Sequence, residues 1–172
     1  MENEKQEKAV IAAIVENKPG VLHSVSNMFR RRDFNIDSIS VGLAEQKGLS
    51  RMTIGVKADQ KTIDQVVKQL KKIIDVVKVS QLDPKSMVIR ELALVKIQVA
   101  DGKVRAEIIN FVDVFRGRIV DVAPDSLMVE ITGTPDKIDA FLNLMNTFGI
   151  IELARTGITA LSRGPKSINI EE

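Results

Sequence analysis

The chain has 172 residues, 44% hydrophobic and 28% charged, with 25 Lys and Arg against 23 Asp and Glu. That length holds one large or two small domains, and the apolar fraction suffices for packed cores. The absence of Cys excludes disulfides and thiol chemistry, and a single His (His23) leaves no conventional zinc or nickel site. With no Trp or Tyr and only six Phe, base-stacking platforms are missing, and the near balance of charge argues against a DNA-binding footprint. No apolar run approaches the ~18 residues of a membrane span. Residues 1–8 are polar, lack the apolar region of a signal peptide and read as a mobile tail, so a cytoplasmic protein is expected.

The first patterned stretch is Val10–Val15, apolar without alternation, as in a strand buried on both faces. It predicts a strand over Ala9–Glu16. The turn Asn17-Lys18-Pro19-Gly20 follows, and Val21, Leu22, Val25, Met28 and Phe29 then recur at helical spacing, predicting a helix over Pro19–Arg32. Pro19 suits a first helical position, where its missing N–H costs nothing. Gly20 leaves the first-turn amides uncovered by any side chain. Those amides carry the positive end of the helix dipole, so a small carboxylate can dock there, and Asn17 adds a group that both donates and accepts. Most such turns bind nothing. The remainder of the chain decides the matter.

A strand over Asn35–Ala44 changes parity: Phe34 and Ile36 fall on even positions, Ile39, Val41 and Leu43 on odd ones. A period of two cannot place both sets on one face, which predicts a bulge near Asp37-Ser38 or a swap of the buried side. A loop at Ala44–Gly48 leads to a strand over Leu49–Lys57. Asp59 or Thr62 caps a helix bearing Ile63, Val66, Val67, Leu70, Ile73 and Ile74, and a strand over Val76–Gln81 follows. Leu82-Asp83-Pro84-Lys85-Ser86 breaks every pattern and marks a boundary.

The same order then returns. Leu92–Val99 is apolar. Val104, Ile108, Ile109, Val112 and Phe115 form a helical stripe, and strands over Gly117–Ala123 and Ser126–Thr132 flank Pro124-Asp125. Thr134 and Pro135 open a helix with Ile138, Phe141, Leu142 and Met145, and Ile150–Arg155 closes the set. Thr62-Ile63-Asp64 and Lys137-Ile138-Asp139 mark matching helix starts. This internal repeat predicts an α+β protein of two tandem ferredoxin-like βαββαβ domains, residues 9–82 and 88–164, with a linker at 83–87 and a tail at 165–172. Helices cover one face of each sheet, and the other face or an edge remains for partners.

Several segments together carry a resemblance. Ile14–Leu22 looks like the opening of an ACT domain, a regulatory amino-acid-binding module. Phe34-Asn35-Ile36-Asp37-Ser38-Ile39, Leu49–Ile54, Leu94-Val95-Lys96-Ile97, Val114-Phe115-Arg116-Gly117 and Leu161-Ser162-Arg163-Gly164 narrow it. In this order they resemble the regulatory (small) subunit of acetohydroxyacid synthase, also called acetolactate synthase, over about Val10–Gly164. The resemblance implies a chain with no catalytic residues or cofactor of its own. Its partner is a catalytic large subunit that uses thiamine diphosphate, Mg²⁺ and FAD. The chain raises that subunit's activity and makes it sensitive to inhibition by valine or another branched-chain amino acid. It also implies a homodimer, with the effector between two N-terminal ACT domains, where Asn17 and Gly20 of one protomer meet Asn35 and Ile36 of the other. Two departures are Lys18-Pro19, where relatives often carry other polar residues, and Asp33, where a Gly is usual.

The chemistry of these residues is compatible with that placement. A buried amino acid needs both its carboxylate and its ammonium satisfied. Amides at Gly20 and Val21, next to Pro19, suit the carboxylate; the side-chain oxygens of Asn17 and Asn35 suit the ammonium; Leu22 and Ile36 supply aliphatic walls. Arg51 and Arg116 are candidates for contact with a partner protein, each against a solvated surface role. The methionines Met28, Met52, Met128 and Met145 read as core. A free-standing ACT-type sensor with a different partner is the alternative function. An RNA-binding module lacks the aromatics, and a stand-alone enzyme lacks any acid–base cluster.

Overall fold

The structure, a computed structural model, describes residues 7–168. It divides into two compact units: one holds residues 7–88 together with 158–168, the other Ile89–Gly157. Residues 1–6 of the expected N-terminal tail and 169–172 of the expected C-terminal tail lie outside the described residues.

In the first unit β1 (Glu7–Glu16), α1 (Val21–Arg31), β2 (Ser38–Leu43), β3 (Leu49–Ala58), α2 (Gln60–Leu70) and β4 (Val76–Leu82) follow one another. The sheet order is β2-β3-β1-β4 and every ladder is antiparallel. Ala9, Ile11, Ala13 and Val15 of β1 meet Val21, Val25 and Phe29 of α1 and Ile63, Val66 and Leu70 of α2 in one core. The second unit repeats this plan with β5 (Met87–Gln98), α3 (Gly102–Val114), β6 (Arg118–Val122), β7 (Ser126–Gly133), α4 (Pro135–Met145) and β8 (Ile150–Arg155). Its order is β6-β7-β5-β8, and β9 (Thr159–Ser162) follows in the chain. Ile138, Phe141 and Met145 pack on Ala93, Val95 and Ile97. The two expected ferredoxin-like βαββαβ folds are therefore present. The repeat extends to detail: Ile63 and Ile138 are each the fourth residue of an 11-residue helix, and both are fully buried.

Local chemistry sets the helix starts. Asp59 caps α2, accepting from the Thr62 amide at 2.9 Å and the Thr62 hydroxyl at 2.8 Å. Asp101 caps α3 through the amides of Lys103 and Val104, at 2.8 and 2.9 Å. Asp101→Ala is expected to lower the stability of the second unit by about 1 kcal/mol, read as a shift of its thermal transition by circular dichroism.

Several expectations change, among them the helix stripe expected through Ile73 and Ile74, since α2 ends at Leu70 and Ile74 is exposed. First, α1 begins at Val21 rather than Pro19, and Gly20 is its N-cap with φ 90°, a left-handed conformation that glycine adopts freely. Second, β2 starts at Ser38, so Phe34 and Ile36 precede the strand and pack on the core from a loop. The change of parity marks the strand's start, and the β2–β3 register runs unbroken from Ser38 to Leu43. Third, β1 reaches back to Glu7, paired with Ala58, so the tail ends before it. Fourth, the second unit ends at Gly157, and the residues from Ile158 onward belong to the first unit instead of a domain spanning 88–164. Ile168, expected in a tail, is 7% exposed. Met128, expected in the core, is half-buried beside Lys96 and lies outside the second core.

This return of the chain explains the unalternated run in β1. Helices cover Ile11 and Ala13. On the opposite face Val10, Ala12 and Ile14 are 4%, 0% and 3% exposed, and Ile158, Ala160 and Ile168 are buried in the same unit.

Candidate effector site

The turn after β1 is held from two sides. The Asn17 amide donates to the Gly48 carbonyl at 2.8 Å, and the Glu16 amide to the Asp75 carbonyl at 2.9 Å. Lys18 Nζ lies 2.6 Å from Glu16 Oε2 and 2.7 Å from Asp75 Oδ1, which ties the turn to the head of β4. Hydrogen bonding to Asp75, then to Glu16, holds the Lys18 ammonium well above the ordinary lysine range. Because the folded-state value is raised, this link is complete below about pH 10.4 and is lost only as pH rises through the higher folded value. The Lys18 Cε resonance is expected to titrate later than those of unpaired lysines, and a simultaneous titration would show that the pair does not persist in solution.

No side chain caps α1, and its first turn contains no acidic residue. Ser24 bonds back to the Gly20 carbonyl at 2.9 Å, so the amides ahead of it have no partner within the helix. Asn17, Pro19, Gly20 and Leu22 are all exposed around that end, Leu22 at 48%. Val21 is 3% exposed and points into the core, so its part in any site is its backbone N–H. Asp33, with φ 56°, takes the left-handed turn after α1, a conformation that glycine adopts at no steric cost. Asn35 is exposed and donates from Nδ2 to Asp37 Oδ1 at 3.3 Å, leaving its oxygen available. Ile36 is half-buried against the core.

The expected site residues thus form two groups, and one chain does not bring them together. Glu16 pairs with Leu49, whereas Gly55 pairs with both Val10 and Ser38. Asn17 therefore lies past one end of the sheet and Asn35 past the other, separated along β1 by about six residues, or ~20 Å. Between them runs β2, an edge strand with Val41 49% and Leu43 80% exposed.

Arg51 is not an open surface group. It is half-buried, and its Nη2 donates to the Ala160 carbonyl of its own chain at 3.0 Å. Arg116 is exposed with φ 54°, at the turn that ends α3. Residue-type patterns give no signal for Gly48, which acts through its backbone carbonyl, for Asp75, which acts through its carbonyl and its carboxylate, or for Ser40, whose hydroxyl donates to the Ile158 carbonyl at 2.7 Å. A separate cleft of about 380 Å³ between α1 and α2 is lined by Asn27, Arg31, Arg32 and Lys72 among others, none of them an expected site residue. Among the described residues no three His, Asp or Glu side chains gather as metal ligands, and no helix is long and apolar enough to cross a membrane.

Comparison with known proteins places these features in a family. Residues 11–78 match the family model of the AHAS small subunit-like ACT domain, and residues 90–164 that of the small subunit of acetolactate synthase. The probable acetolactate synthase small subunit of Methanothermobacter thermautotrophicus is 53% identical over 92% of this chain and 95% of its own length. The acetolactate synthase small subunit of Mycolicibacterium smegmatis is 46% identical over 92% of each chain. The crystal structure of the small subunit from Thermotoga maritima superposes with a TM-score of 0.87 at 45% identity, covering 93% of this chain and 99% of that one. With the fold, the order of motifs and near full-length identity in agreement, the chain belongs to the family of acetolactate synthase small subunits.

Proposed function

We propose that the chain is the regulatory subunit of an acetolactate synthase and acts as a homodimer that binds a branched-chain amino acid at the edge of its first sheet. It activates a catalytic large subunit, whose thiamine diphosphate, Mg²⁺ and FAD supply the chemistry, and conveys feedback inhibition to it. The observation that carries this reading is the separation of the two half-sites. Asn17 with the uncapped start of α1 lies at one end of β2, and Asn35 at the other. When two β2 edges pair antiparallel about a two-fold axis, the Asn35 end of one copy meets the Asn17 end of its partner. Each dimer then holds two complete sites. The exposed Val41 and Leu43 suit such an edge, which otherwise offers unpaired backbone groups to solvent.

In that arrangement the free amides of α1 and its dipole receive the carboxylate, and the two asparagine oxygens receive the ammonium. Leu22 lines the aliphatic side, with Ile36 contributing as far as its core packing allows. Calorimetry with valine, leucine and isoleucine on the isolated chain, followed by activity assays with and without the catalytic subunit, tests the reading. Saturable binding of at least one of them, together with ligand-dependent inhibition of the complex, is expected. A chain that binds none, or that leaves the catalytic subunit's rate unchanged, would falsify it.

A further inference from the structure

The face of the first sheet turned away from its helices carries several small side chains. Register aligns Ala12, Thr53 and Ser40 in one row and Val10, Gly55 and Ser38 in the next. After Gly157 the chain continues from β8 and lays residues 158–168 into the first unit, burying Ile158, Ala160 and Ile168. This strap is held largely by its backbone. Ser40 Oγ donates to the Ile158 carbonyl at 2.7 Å, Arg51 Nη2 to the Ala160 carbonyl at 3.0 Å, and the Arg163 amide donates to the Ser86 carbonyl at 2.7 Å. Gly55 permits the close approach, because a Cβ there would come within 3.0 Å of Ile158 Cδ1 and 2.8 Å of Ser38 Oγ.

Two features suggest that the strap is more than a cover. Arg51 Nε is buried without a hydrogen-bond partner, and burial lowers the guanidinium pKa. A desolvated cation left with an unsatisfied donor gives that contact a thin energetic margin. Both anchoring side chains also lie on β2 and β3. Ser40 sits between Ile39 and Val41 on the edge strand, and Arg51 pairs with Gly42 of that strand.

We propose that residues 158–168 form a strap that senses occupancy of the β2 edge. A second copy and its ligand docking on β2 displace Ser40 and Arg51, which changes their hold on the carbonyls of Ile158 and Ala160. The strap carries that change along its own backbone to the short segment that joins it to β8. This inference rests on the effector reading above. Ser40 and Arg51 are positioning residues in it and touch no ligand.

Hydrogen exchange on the full chain in complex with its catalytic subunit, with and without saturating valine, tests the strap. The amides of residues 159–163 are expected to change exchange rate by about fivefold or more, the lower end of ordinary coupling between sites. Ser40→Ala and Gly55→Ala chains are expected to bind valine within about threefold of the unaltered chain, while the inhibition they convey falls by about half or more. Valine binding with unchanged exchange at 159–163, or full inhibition by both variants, reduces the strap to a static cover and overturns the proposal. Failure of the unaltered chain to bind valine overturns the effector reading and the strap with it, and calorimetry alone reveals that outcome. If either variant fails to fold, the exchange comparison on the unaltered chain decides.

Discussion

Alanine at Asn17 or at Asn35 is expected to weaken valine binding by roughly 10–100-fold, because each removes a hydrogen bond to a charged group worth ~1.5–3 kcal/mol. Neither substitution should disturb the fold. Both side chains are exposed, and Asn17 keeps its place through its backbone amide on Gly48. The stronger form of the experiment mixes the two variants. In a mixed dimer one interface site combines both alanines and the other combines both native asparagines. Binding of near-native affinity should therefore return, at up to one site per mixed dimer. No single-chain site can produce that recovery. Two variants that stay weak after subunit exchange would place the half-sites in separate pockets and remove the dimer-edge reading.

Phe29→Ala is expected to cost about 3–5 kcal/mol, a large share of the 5–15 kcal/mol that stabilises a typical domain. Phe29 is 2% exposed and meets Phe34 edge-on, with ring centroids 6.4 Å apart, so its loss empties the space between α1 and the loop leading to β2. The second unit has its own core around Phe141, which is fully buried with Phe115 5.4 Å away. Calorimetry should show one transition falling steeply and another nearly unmoved. Circular dichroism is the companion probe, since the chain has no Trp or Tyr for fluorescence. A single transition shifted as a whole would mean that the two cores melt together, and one unfolding free energy would then describe the chain.

Both predictions depend on features that differ in how openly the residues display them. The helical stripe Val21, Val25, Phe29 and the repeated Ile63 and Ile138 are local patterns. A helix that must bury one face shows that face at fixed spacing, so both βαββαβ units are legible in the sequence. The uncapped turn is legible too, because the ring of Pro19 fixes its φ and Gly20 brings no side chain, although the helix starts only at Val21, since Gly20 takes a left-handed conformation. The parity change near Asp37 was a true signal that local reasoning misassigned. Period-two alternation applies within a strand, and only the hydrogen-bonded register shows that the strand begins at Ser38.

What sequence alone determined is therefore the succession of elements, their apolar faces and the polar turn between β1 and α1, all set by contacts within a few residues. Tertiary structure alone decided that Asn17 and Asn35 stand at opposite ends of one sheet. It also decided that the second face of β1 is covered by Ile158 and Ala160, and that Arg51 serves its own chain. Those facts rest on strand register and on backbone carbonyls, in the case of Arg51 and Ala160 between residues more than a hundred positions apart, and neither leaves a periodic mark on the amino acids that take part.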